Sequence, residues 1–257
     1  MTRESFKTDA FILRCLSYSE SDLIVTFYSN EFGKLRGIAK GAKRSKKRFA
    51  NVFEPFSLTR IVFSHHRPDA LAFIEACEII DHYSDIRADL EKTLIASYFA
   101  DLADSFSPEG KINVRVFELL HNFLLLLSKE KATEAALRFF ELRLLKFTGF
   151  EPALDHCVRC KTPLTNGNAY YFYPREGGIK CSVCARPERY EEPLSAGAVR
   201  TLLLGKNMDM DKIKLVSLSE TLSAECREIM VGFITHLLGR EIKSLKVMEQ
   251  IRRMDLP

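Results

Sequence analysis

The chain has 257 residues, of which 46% are hydrophobic and 28% charged, and its formal net charge is +4. These values are ordinary for a globular protein and leave room for one large domain or for two to three small ones. The N-terminus lacks the apolar run of a signal peptide, and no stretch approaches the roughly 18 consecutive apolar residues of a membrane span. We therefore expect neither secretion nor a membrane as partner.

The basic residues are concentrated at the front of the chain. Residues 1–63 hold 12 Lys or Arg and 6 Asp or Glu, whereas residues 64–257 hold 26 and 28. Residues 34–48 carry eight cations and no acid, a density typical of a polyanion-binding surface or of a solvated or nuclear-localisation-like tract. Because the run grows out of a predicted hairpin, we favour a nucleic-acid surface. Its eight predicted DNA-binding residues are Lys34, Arg36, Lys40, Lys43, Arg44, Lys46, Lys47 and Arg48.

Five short segments of the N-terminal part are rich in β-branched and aromatic residues and are separated by polar turns, which predicts strands. The segments cover residues 10–14, 23–28, 34–38, 58–63 and 70–75. Gly33 closes the turn between the second and third strands, since glycine adopts a positive φ without strain. Five strands within about eighty residues predict a small barrel of the oligonucleotide/oligosaccharide-binding (OB) type.

Barrels of this type bind single strands through a basic groove and stacking aromatic rings. Four aromatic residues near the basic run are candidate stacking residues: Tyr28, Phe32, Phe49 and Phe53. The pattern leaves Tyr28 and Phe53 equally open to an interpretation as core residues.

From about residue 86 the hydrophobic period changes from two to 3.6, which predicts three helices before the cysteine-rich segment and about three after it. In the first predicted helix, the apolar residues that face inward recur every four positions, at Leu90, Leu94, Tyr98 and Leu102. A closing helix is predicted near the C-terminus. Residues suited to begin and end helices mark three others: Thr133 and Gly149, Ser195 and Gly205, and Ser219 and Gly239.

Four cysteines form two C-x2-C pairs, Cys157 with Cys160 and Cys181 with Cys184. Two residues between thiols let one turn direct both sulfurs at a single ion, and two such turns supply four tetrahedral ligands. This geometry and the softness of thiolate select zinc, and four thiolates leave no open coordination position. We predict a structural Zn2+, with a strand and a glycine-bearing turn between the pairs. A redox pair is the competing interpretation, but it needs a βαβ setting.

Three further cysteines, Cys15, Cys77 and Cys226, are widely separated and are predicted core residues, which is typical of a protein of the reducing cytoplasm. Sequence signatures of catalysis are absent: there is no phosphate-binding loop, no glycine fingerprint of a dinucleotide fold, no zinc-protease motif and no nucleophile elbow. No acidic cluster suggests two-metal phosphoryl chemistry. We therefore predict that the protein is not an enzyme.

A set of short motifs recurs along the chain in a recognisable order. They are segments 10–14, 18–24, 33–36, 39–44 and 54–56, then Leu154 with Asp155, the two cysteine pairs, and the late helices with Lys243 and Leu245. This combination resembles the RecO family of bacterial recombinational-repair mediators over essentially the whole chain. Lys161 departs from the family pattern, in which glycine often follows the first cysteine pair.

The resemblance implies binding of single- and double-stranded DNA, strand annealing, and loading of the RecA recombinase during DNA recombination after DNA damage. It implies two protein partners, a RecR-like protein and the C-terminal tail of the single-strand-binding protein. Because that tail is acidic with an apolar end, we choose Lys243 and Lys246 beside Leu245 as its candidate site. The implied location is the cytoplasm, in association with the nucleoid.

These patterns together predict an α+β protein. A five-stranded OB-type β-barrel covers residues 1–80, and a helical domain covers residues 81–257, interrupted by a tetracysteine zinc module (zinc finger) at residues 154–186. The predicted function is a non-enzymatic DNA-repair mediator. One alternative is a zinc-ribbon, RNA-binding interaction protein of the transcription or translation machinery. Another is an enzyme with a structural zinc, such as a sirtuin-like deacylase, against which the missing glycine fingerprint argues.

Overall fold

The structure is a computed structural model. It describes residues 4–45, 47–65, 70–165, 169–185 and 193–254. The predicted DNA-binding residue Lys46 lies outside the described residues. The chain folds as two compact units. The barrel unit comprises Met1–Lys129 with Lys243–Pro257, and the cysteine unit comprises Glu130–Ile242. The predicted domain boundary after residue 80 stays a prediction.

Most strands of the fold come before most of its helices in the chain. In chain order the strands and helices are β1 (Ser5–Ser17), β2 (Leu23–Ser29), β3 (Gly33–Ala39), β4 (Leu58–Ser64), β5 (Ala72–Asp81), α1 (Ser84–Arg87), α2 (Leu90–Phe106), α3 (Val114–Lys129), α4 (Glu134–Thr148), β6 (Tyr170–Tyr173), β7 (Gly178–Cys181), α5 (Ala196–Gly205), α6 (Met210–Ile213), α7 (Glu220–Leu238) and α8 (Lys243–Met254). None of the helices that the structure describes has the length and apolar character needed to span a bilayer.

Strands β1 to β5 close into a barrel in the order β1-β2-β3-β5-β4, and β4 returns to pair with β1. β3 and β5 pair in parallel, and the other neighbours pair antiparallel. β1 is long because it serves two partners, with a bulge between Ile12 and Arg14. The OB-type barrel, the helical remainder and the cysteine cluster confirm the predicted α+β fold class.

One face of each strand fills the barrel interior, as a side-chain period of two requires. Ile12, Phe27 and Phe63 are fully buried there. The loop after β3 contributes Phe49 and Phe53 to the same core, with ring centroids 5.2 Å apart. The loop is therefore packed onto the barrel and not merely attached to it.

Three of the four predicted stacking residues, Phe32, Phe49 and Phe53, lie in or against this core, whereas Tyr28 lies on the opposite face of β2. Tyr28, Phe49 and Phe53 are buried, and the Tyr28 hydroxyl donates to the carbonyl oxygen of Asn113 at 3.0 Å. Phe32 is partly buried and packs against the same core. The stacking prediction is wrong because these rings are packed inside the protein: Phe32, Phe49 and Phe53 against the barrel interior, and Tyr28 against the segment that contains Asn113. For Tyr28 and Phe53 the core interpretation is correct.

Gly33 permits both a turn and a close approach of two backbones. Its φ of 66° lies in the left-handed region, as the sequence predicts. A Cβ atom at this position would lie 2.1 Å from the carbonyl oxygen of Lys111. The backbone N–H of Gly110 also donates to the carbonyl oxygen of Lys34 at 2.8 Å. The segment between α2 and α3 thus lies against the β2–β3 hairpin.

Helices α1, α2, α3 and α8 complete the barrel unit. α2 begins after Asp89, whose carboxylate caps the helix, and it buries Leu94, Tyr98 and Leu102. The prediction that Leu90 also faces inward is wrong. Leu90 is 57% exposed, because it occupies the first position of the helix. The rest of the predicted apolar face is correct.

The predicted closing helix is present as α8, which packs against α2. The Ser244 hydroxyl donates to the Asp101 carboxylate at 2.7 Å. Near the other end, Arg252 Nε donates to the Glu91 carboxylate at 2.9 Å. These two bonds fix the last helix on a helix that starts more than a hundred residues earlier.

α4 is the central helix of the cysteine unit, and residues 135–145 are all buried. The Thr133 hydroxyl accepts the backbone N–H of Ala136 at 3.2 Å, and Gly149 ends the helix with a φ of 87°. α5 and α7 begin at the predicted caps Ser195 and Ser219 and pack on α4. The sequence prediction of these helix ends is confirmed.

Candidate functional site

The four cysteines lie on a hairpin and two tight turns. β6 and β7 pair antiparallel, and Gly177 at φ 70° closes the 3-10 turn between them. In the first cysteine pair, the backbone N–H of Cys157 donates to the carbonyl oxygen of Thr162 at 2.9 Å. In the second, the N–H of Cys184 donates to the carbonyl oxygen of Cys181 at 3.0 Å. The predicted strand and glycine-bearing turn are present, and a second strand leads into Cys181.

These turns bring the four sulfur atoms together. The Sγ atoms all lie within 4.8 Å of one another, and those of Cys160 and Cys181 are 3.7 Å apart. Cys157 and Cys181 are buried, Cys184 is half-buried and Cys160 is exposed. Four thiols at these distances are close enough to hold a metal ion.

The thiols differ in acidity because their surroundings differ. The Thr162 hydroxyl, 3.2 Å from the Cys160 sulfur, and the backbone of the same residue lower the pKa of Cys160 to about 6. Interaction with the Cys160 sulfur, followed by burial, raises the pKa of Cys184 to about 12. Adjacent thiolates repel one another, so a bound cation would stabilise the fully ionised set.

Lys161 follows the first cysteine pair in a conformation that suits glycine. Its φ is 62°, and its backbone N–H donates to the carbonyl oxygen of Cys157 at 2.9 Å. A residue with a Cβ is strained by about 1–2 kcal/mol in the left-handed region. Glycine avoids this strain, but its greater flexibility in the unfolded chain cancels part of the resulting gain in stability. We expect Lys161→Gly to raise the free energy of unfolding by about 0.5–1 kcal/mol, measured by urea titration. Lys161→Ala keeps the Cβ and is the control. Equal stability of the two variants would show that the Cβ at this position does not strain the backbone.

The predicted DNA-binding residues divide into two groups, and in the first each cation pairs with an acid that is distant in sequence; in the second, Arg44 also pairs with the nearby Glu20. Lys34 Nζ lies 3.1 Å from Asp104 Oδ1, and the Lys34 side chain is 14% exposed. Arg36 Nε lies 2.8 Å from Glu109 Oε2. The acidic partners come 70 and 73 positions later in the chain. The charges of these two cations are therefore balanced within the barrel unit.

The second group lies on the loop after β3, residues 40–48, which we call the basic loop. Gly41 at φ 70° opens it. Arg48 Nη2 donates to the carbonyl oxygen of Lys40 at 2.7 Å, and its guanidinium lies 4.4 Å from the ring centre of Phe49. The described residues of the loop are thus held against one another and against Phe49. Its exposed cations are Lys40, Lys43, Arg44, Lys47 and Arg48.

Asp22, which the sequence analysis missed, anchors the basic loop. Its Oδ1 accepts the backbone N–H of Gly41 at 2.8 Å and the hydroxyl of Ser21 at 2.9 Å. These bonds, that from Gly41 foremost, hold the pKa of Asp22 below its ordinary value. The backbone N–H of Lys43 donates to the carbonyl oxygen of Ser21 at 3.0 Å. The β1–β2 loop therefore fixes the start of the basic loop.

The lowered pKa of Asp22 predicts a pH dependence of stability. The ionised Asp22 carboxylate stabilises the folded protein fully at pH values above the ordinary carboxyl pKa of about 3.9. This stabilisation is lost as the pH falls through the lower pKa that Asp22 has in the folded protein. We expect Asp22→Asn to lower the free energy of unfolding at about pH 6, and this difference to shrink below about pH 4. Urea titrations at a series of pH values measure it. Glu20→Gln, which removes a neighbouring exposed carboxylate, is the control. If the loss of stability in Asp22→Asn does not change with pH, the pKa of Asp22 is not lowered in the folded protein.

The fold and the cysteine cluster define the chain as an OB-type barrel protein with a helical part that carries a tetracysteine site. The family model described as "Recombination protein O N terminal" matches residues 1–83, and "Recombination protein O C terminal" matches residues 87–246. The chain therefore belongs to the RecO family, as the sequence resemblance indicates, and has a role in DNA repair.

Individual relatives agree with the family models. The chain is 47% identical to the DNA repair protein RecO of Syntrophus aciditrophicus (strain SB), over 99% of each chain. It is 34% identical to the DNA repair protein RecO of Desulfatibacillum aliphaticivorans, over 96% of this chain and 97% of the relative. The RecO of Geobacter metallireducens is also 34% identical, over 96% and 98%. The similarity thus spans both compact units.

Proposed function

We propose that the protein is a non-enzymatic mediator of recombinational DNA repair, which binds single- and double-stranded DNA, anneals complementary strands and helps load the recombinase. The observation that carries this proposal is the basic loop, with five exposed cations on an ordered segment anchored by Asp22. Phosphates are the natural complement of such a surface, and contacts to them carry little sequence information. Membership of the RecO family supports the repair role.

Two groups within the basic run have different parts in this proposal. The exposed cations of the basic loop meet the DNA backbone. Lys34 and Arg36 are already paired with acids of the same unit, so their contribution to phosphate binding is smaller. Neutralisation of phosphates on two strands lowers their mutual repulsion, which favours annealing without any covalent chemistry.

We further propose that Cys157, Cys160, Cys181 and Cys184 bind a structural Zn2+. Sulfurs at about 2.3 Å from a tetrahedral zinc lie about 3.8 Å from one another. The 3.7 Å between the Cys160 and Cys181 sulfurs fits this value, and the other pairs are within 4.8 Å. Four thiolates complete the coordination, so the ion would stabilise the hairpin and its turns and would leave no position for a substrate.

A RecR-like protein and the tail of the single-strand-binding protein are the proposed partners, in the cytoplasm at the nucleoid. Lys243 and Lys246 are exposed, but Leu245 between them is buried. Leu245 therefore presents no exposed apolar surface beside these lysines, and the candidate site chosen for the tail is wrong. The tail remains a proposed partner through family membership, without a site on α8.

The alternatives have less support. A sirtuin-like deacylase needs a dinucleotide-binding parallel sheet, whereas the described strands form a barrel and a two-stranded hairpin. RNA as the main ligand is disfavoured because the relatives are named DNA repair proteins. Affinities for matched DNA and RNA oligomers at one stated salt concentration would separate these two ligands.

Annealing of complementary oligomers tests the proposed function. We expect the full-length protein to accelerate pairing of bare strands without ATP, because the sequence contains no phosphate-binding loop. Strands coated with single-strand-binding protein should also anneal. The assay compares both substrates with and without ATP. A strict requirement for ATP, or no acceleration over spontaneous pairing, would refute the mediator proposal.

A further inference from the structure

The four sulfurs of the cysteine cluster differ in their access to solvent. Cys160 is exposed, whereas Cys157 and Cys181 are buried and Cys184 is half-buried. A small oxidant in solution therefore meets the Cys160 sulfur before it meets the other three. The susceptibility of a cysteine to oxidation follows its exposure and its thiolate character, so the cluster has one preferred point of attack.

The residues next to Cys160 in the chain favour a reactive thiolate. Arg159 and Lys161 flank it on either side, and both are exposed. The Thr162 hydroxyl lies 3.2 Å from the Cys160 sulfur. Reactive cysteines occupy partly exposed positions with cations nearby, and a metal ion held by thiols keeps them deprotonated. The first cysteine pair meets both conditions.

The acidic residues of the two turns are engaged with other neighbours. Within residues 153–165 the acid is Asp155, whose carboxylate lies 2.6 Å from His156 Nδ1. Within residues 169–185 it is Glu176, which pairs with Lys180. The cations beside Cys160 are therefore not matched by an equal number of carboxylates on the same turn.

Cys181 is placed to form a disulfide with an oxidised Cys160. The two sulfurs are 3.7 Å apart, so a small side-chain movement brings them to the roughly 2.0 Å of a disulfide bond. Cys181 is buried, which shields it from the oxidant but not from Cys160. The two residues belong to different turns, and each turn is closed by its own backbone hydrogen bond. The disulfide would thus join turns that are already formed.

The three cysteines outside the cluster are poor competitors for an oxidant. Burial raises the pKa of Cys15 and of Cys77 to about 12. Burial also raises the pKa of Cys226, to about 11. Each of the three is therefore a neutral thiol at neutral pH, whereas the thiolate is the form that reacts. Oxidation is thus directed to the cluster.

We propose that Cys160 is an oxidation site through which hydrogen peroxide opens the cysteine cluster, with Cys181 as the thiol that forms the disulfide. The inference rests on the proposed Zn2+ site, because the ion would hold the sulfurs as thiolates until the oxidant arrives. Hydrogen peroxide is small and uncharged, so it reaches an exposed sulfur without a binding pocket. The cluster is then a modification site as well as a structural one.

The chemistry takes two steps and consumes one peroxide. The Cys160 thiolate attacks one oxygen of hydrogen peroxide, the O–O bond breaks and hydroxide leaves, so that Cys160 becomes a sulfenic acid. The Cys181 thiolate then attacks the Cys160 sulfur, the S–O bond breaks and a second hydroxide leaves as the disulfide forms. The two sulfurs together lose two electrons, which reduce the peroxide to two hydroxide ions.

The disulfide removes two of the four thiolates from the site. Cys157 and Cys184 alone do not provide the four ligands of a structural zinc, so the site no longer retains Zn2+. The hairpin keeps the pairing of β6 with β7 and the contact of Phe172 with Phe233. A thiol reductant reverses the change by thiol–disulfide exchange. Oxidation is therefore a reversible switch between a zinc-bound and a zinc-free cluster.

Zinc release gives the first test. The full-length, zinc-loaded chain is treated with hydrogen peroxide in the presence of a colorimetric zinc chelator. We expect one zinc to be released for each disulfide formed. The sequence contains seven cysteines, and thiols counted in denaturant should fall from seven to five because two sulfurs are joined. Dithiothreitol followed by added zinc should restore both the thiols and the bound metal.

Mass mapping locates the oxidised residues on the unaltered chain. Dimedone reacts with sulfenic acids and should label Cys160 first when peroxide is limiting. Trypsin places Cys157, Cys160 and the second cysteine pair in three different peptides, because Lys or Arg lies between them. Fragmentation of the last peptide distinguishes Cys181 from Cys184. We expect the disulfide to join Cys160 to Cys181.

Histidine variants separate the exposure of a sulfur from the loss of a ligand, because imidazole also binds zinc. In Cys160→His we expect zinc to be retained and its release by peroxide to slow at least about ten-fold. Cys184→His is the matched control. It makes the same exchange at the half-buried sulfur of the other turn, leaves Cys160 in place and should release zinc at nearly the unaltered rate. If either variant takes up no zinc, the mapping on the unaltered chain decides.

The outcomes separate this inference from the zinc proposal on which it rests. A full-length chain that contains no zinc and takes up none would overturn the metal site, and the oxidation site with it. Zinc that stays bound in peroxide, a first label on another cysteine, or equal rates of release in the two histidine variants would overturn the oxidation site alone. A disulfide from Cys160 to Cys157 or Cys184 would overturn the role of Cys181.

Discussion

A double variant, Cys157→Ser with Cys181→Ser, is expected to bind no zinc and to melt on the order of 10 °C below the unaltered chain. Both sulfurs are buried, and each belongs to one of the two tight turns. A structural zinc stabilises isolated finger peptides by about 10 kcal/mol or more. The loss here is smaller, because the hairpin also packs on α7, where the rings of Phe172 and Phe233 are 5.4 Å apart.

The matched control is Cys226→Ala, which removes a buried thiol elsewhere in the cysteine unit. It should keep one zinc per chain by metal analysis, even where lost packing lowers its stability. Treatment of the unaltered chain with a strong chelator should reproduce the lower melting temperature of the double variant. Full thermal stability of the double variant, together with no zinc in the unaltered chain, would rule out a structural metal.

Signals between residues close in sequence predict this protein well. The cysteine spacing brings four sulfurs together because each pair is closed by its own turn. Thr133 and Ser219 begin helices because each hydroxyl accepts an N–H from the third residue after it. These interactions need no knowledge of the rest of the fold.

Properties that depend on distant residues were predicted poorly. Whether Phe49 stacks on a ligand or fills the barrel is decided by strands that precede and follow it. The charge of Lys34 is balanced by Asp104, on a helix that no local pattern connects to β3.

Lys161 shows how a single position can be informative before the fold is known. The resemblance leads us to expect glycine at this position, and Lys161 adopts the positive φ that suits glycine. The turn is thus retained although the residue is unfavourable. A stability gain from Lys161→Gly is expected because the backbone conformation, and not the side chain, is what the turn requires.

A triple charge reversal in the basic loop, Lys43→Glu with Arg44→Glu and Lys47→Glu, is expected to weaken binding of single- and double-stranded DNA at least about 100-fold. Each cation that neutralises a phosphate releases a counterion, so the salt slope for single strands should become shallower by about 2. The three side chains are exposed, and exposed charges contribute little to stability. The melting temperature should therefore stay nearly unchanged. Anisotropy titrations of labelled oligomers at several salt concentrations give both quantities.

The control makes the same change in net charge on the cysteine unit, at the exposed residues Lys131, Arg200 and Lys212. If the basic loop is the DNA site, reversal of these three to Glu lowers affinity far less, because they act on DNA only through the screened overall field. Equal losses in the two triple variants would mean that overall charge, and not the loop, governs binding. Unchanged affinity and salt slope in the loop variant would place the DNA site elsewhere on the chain.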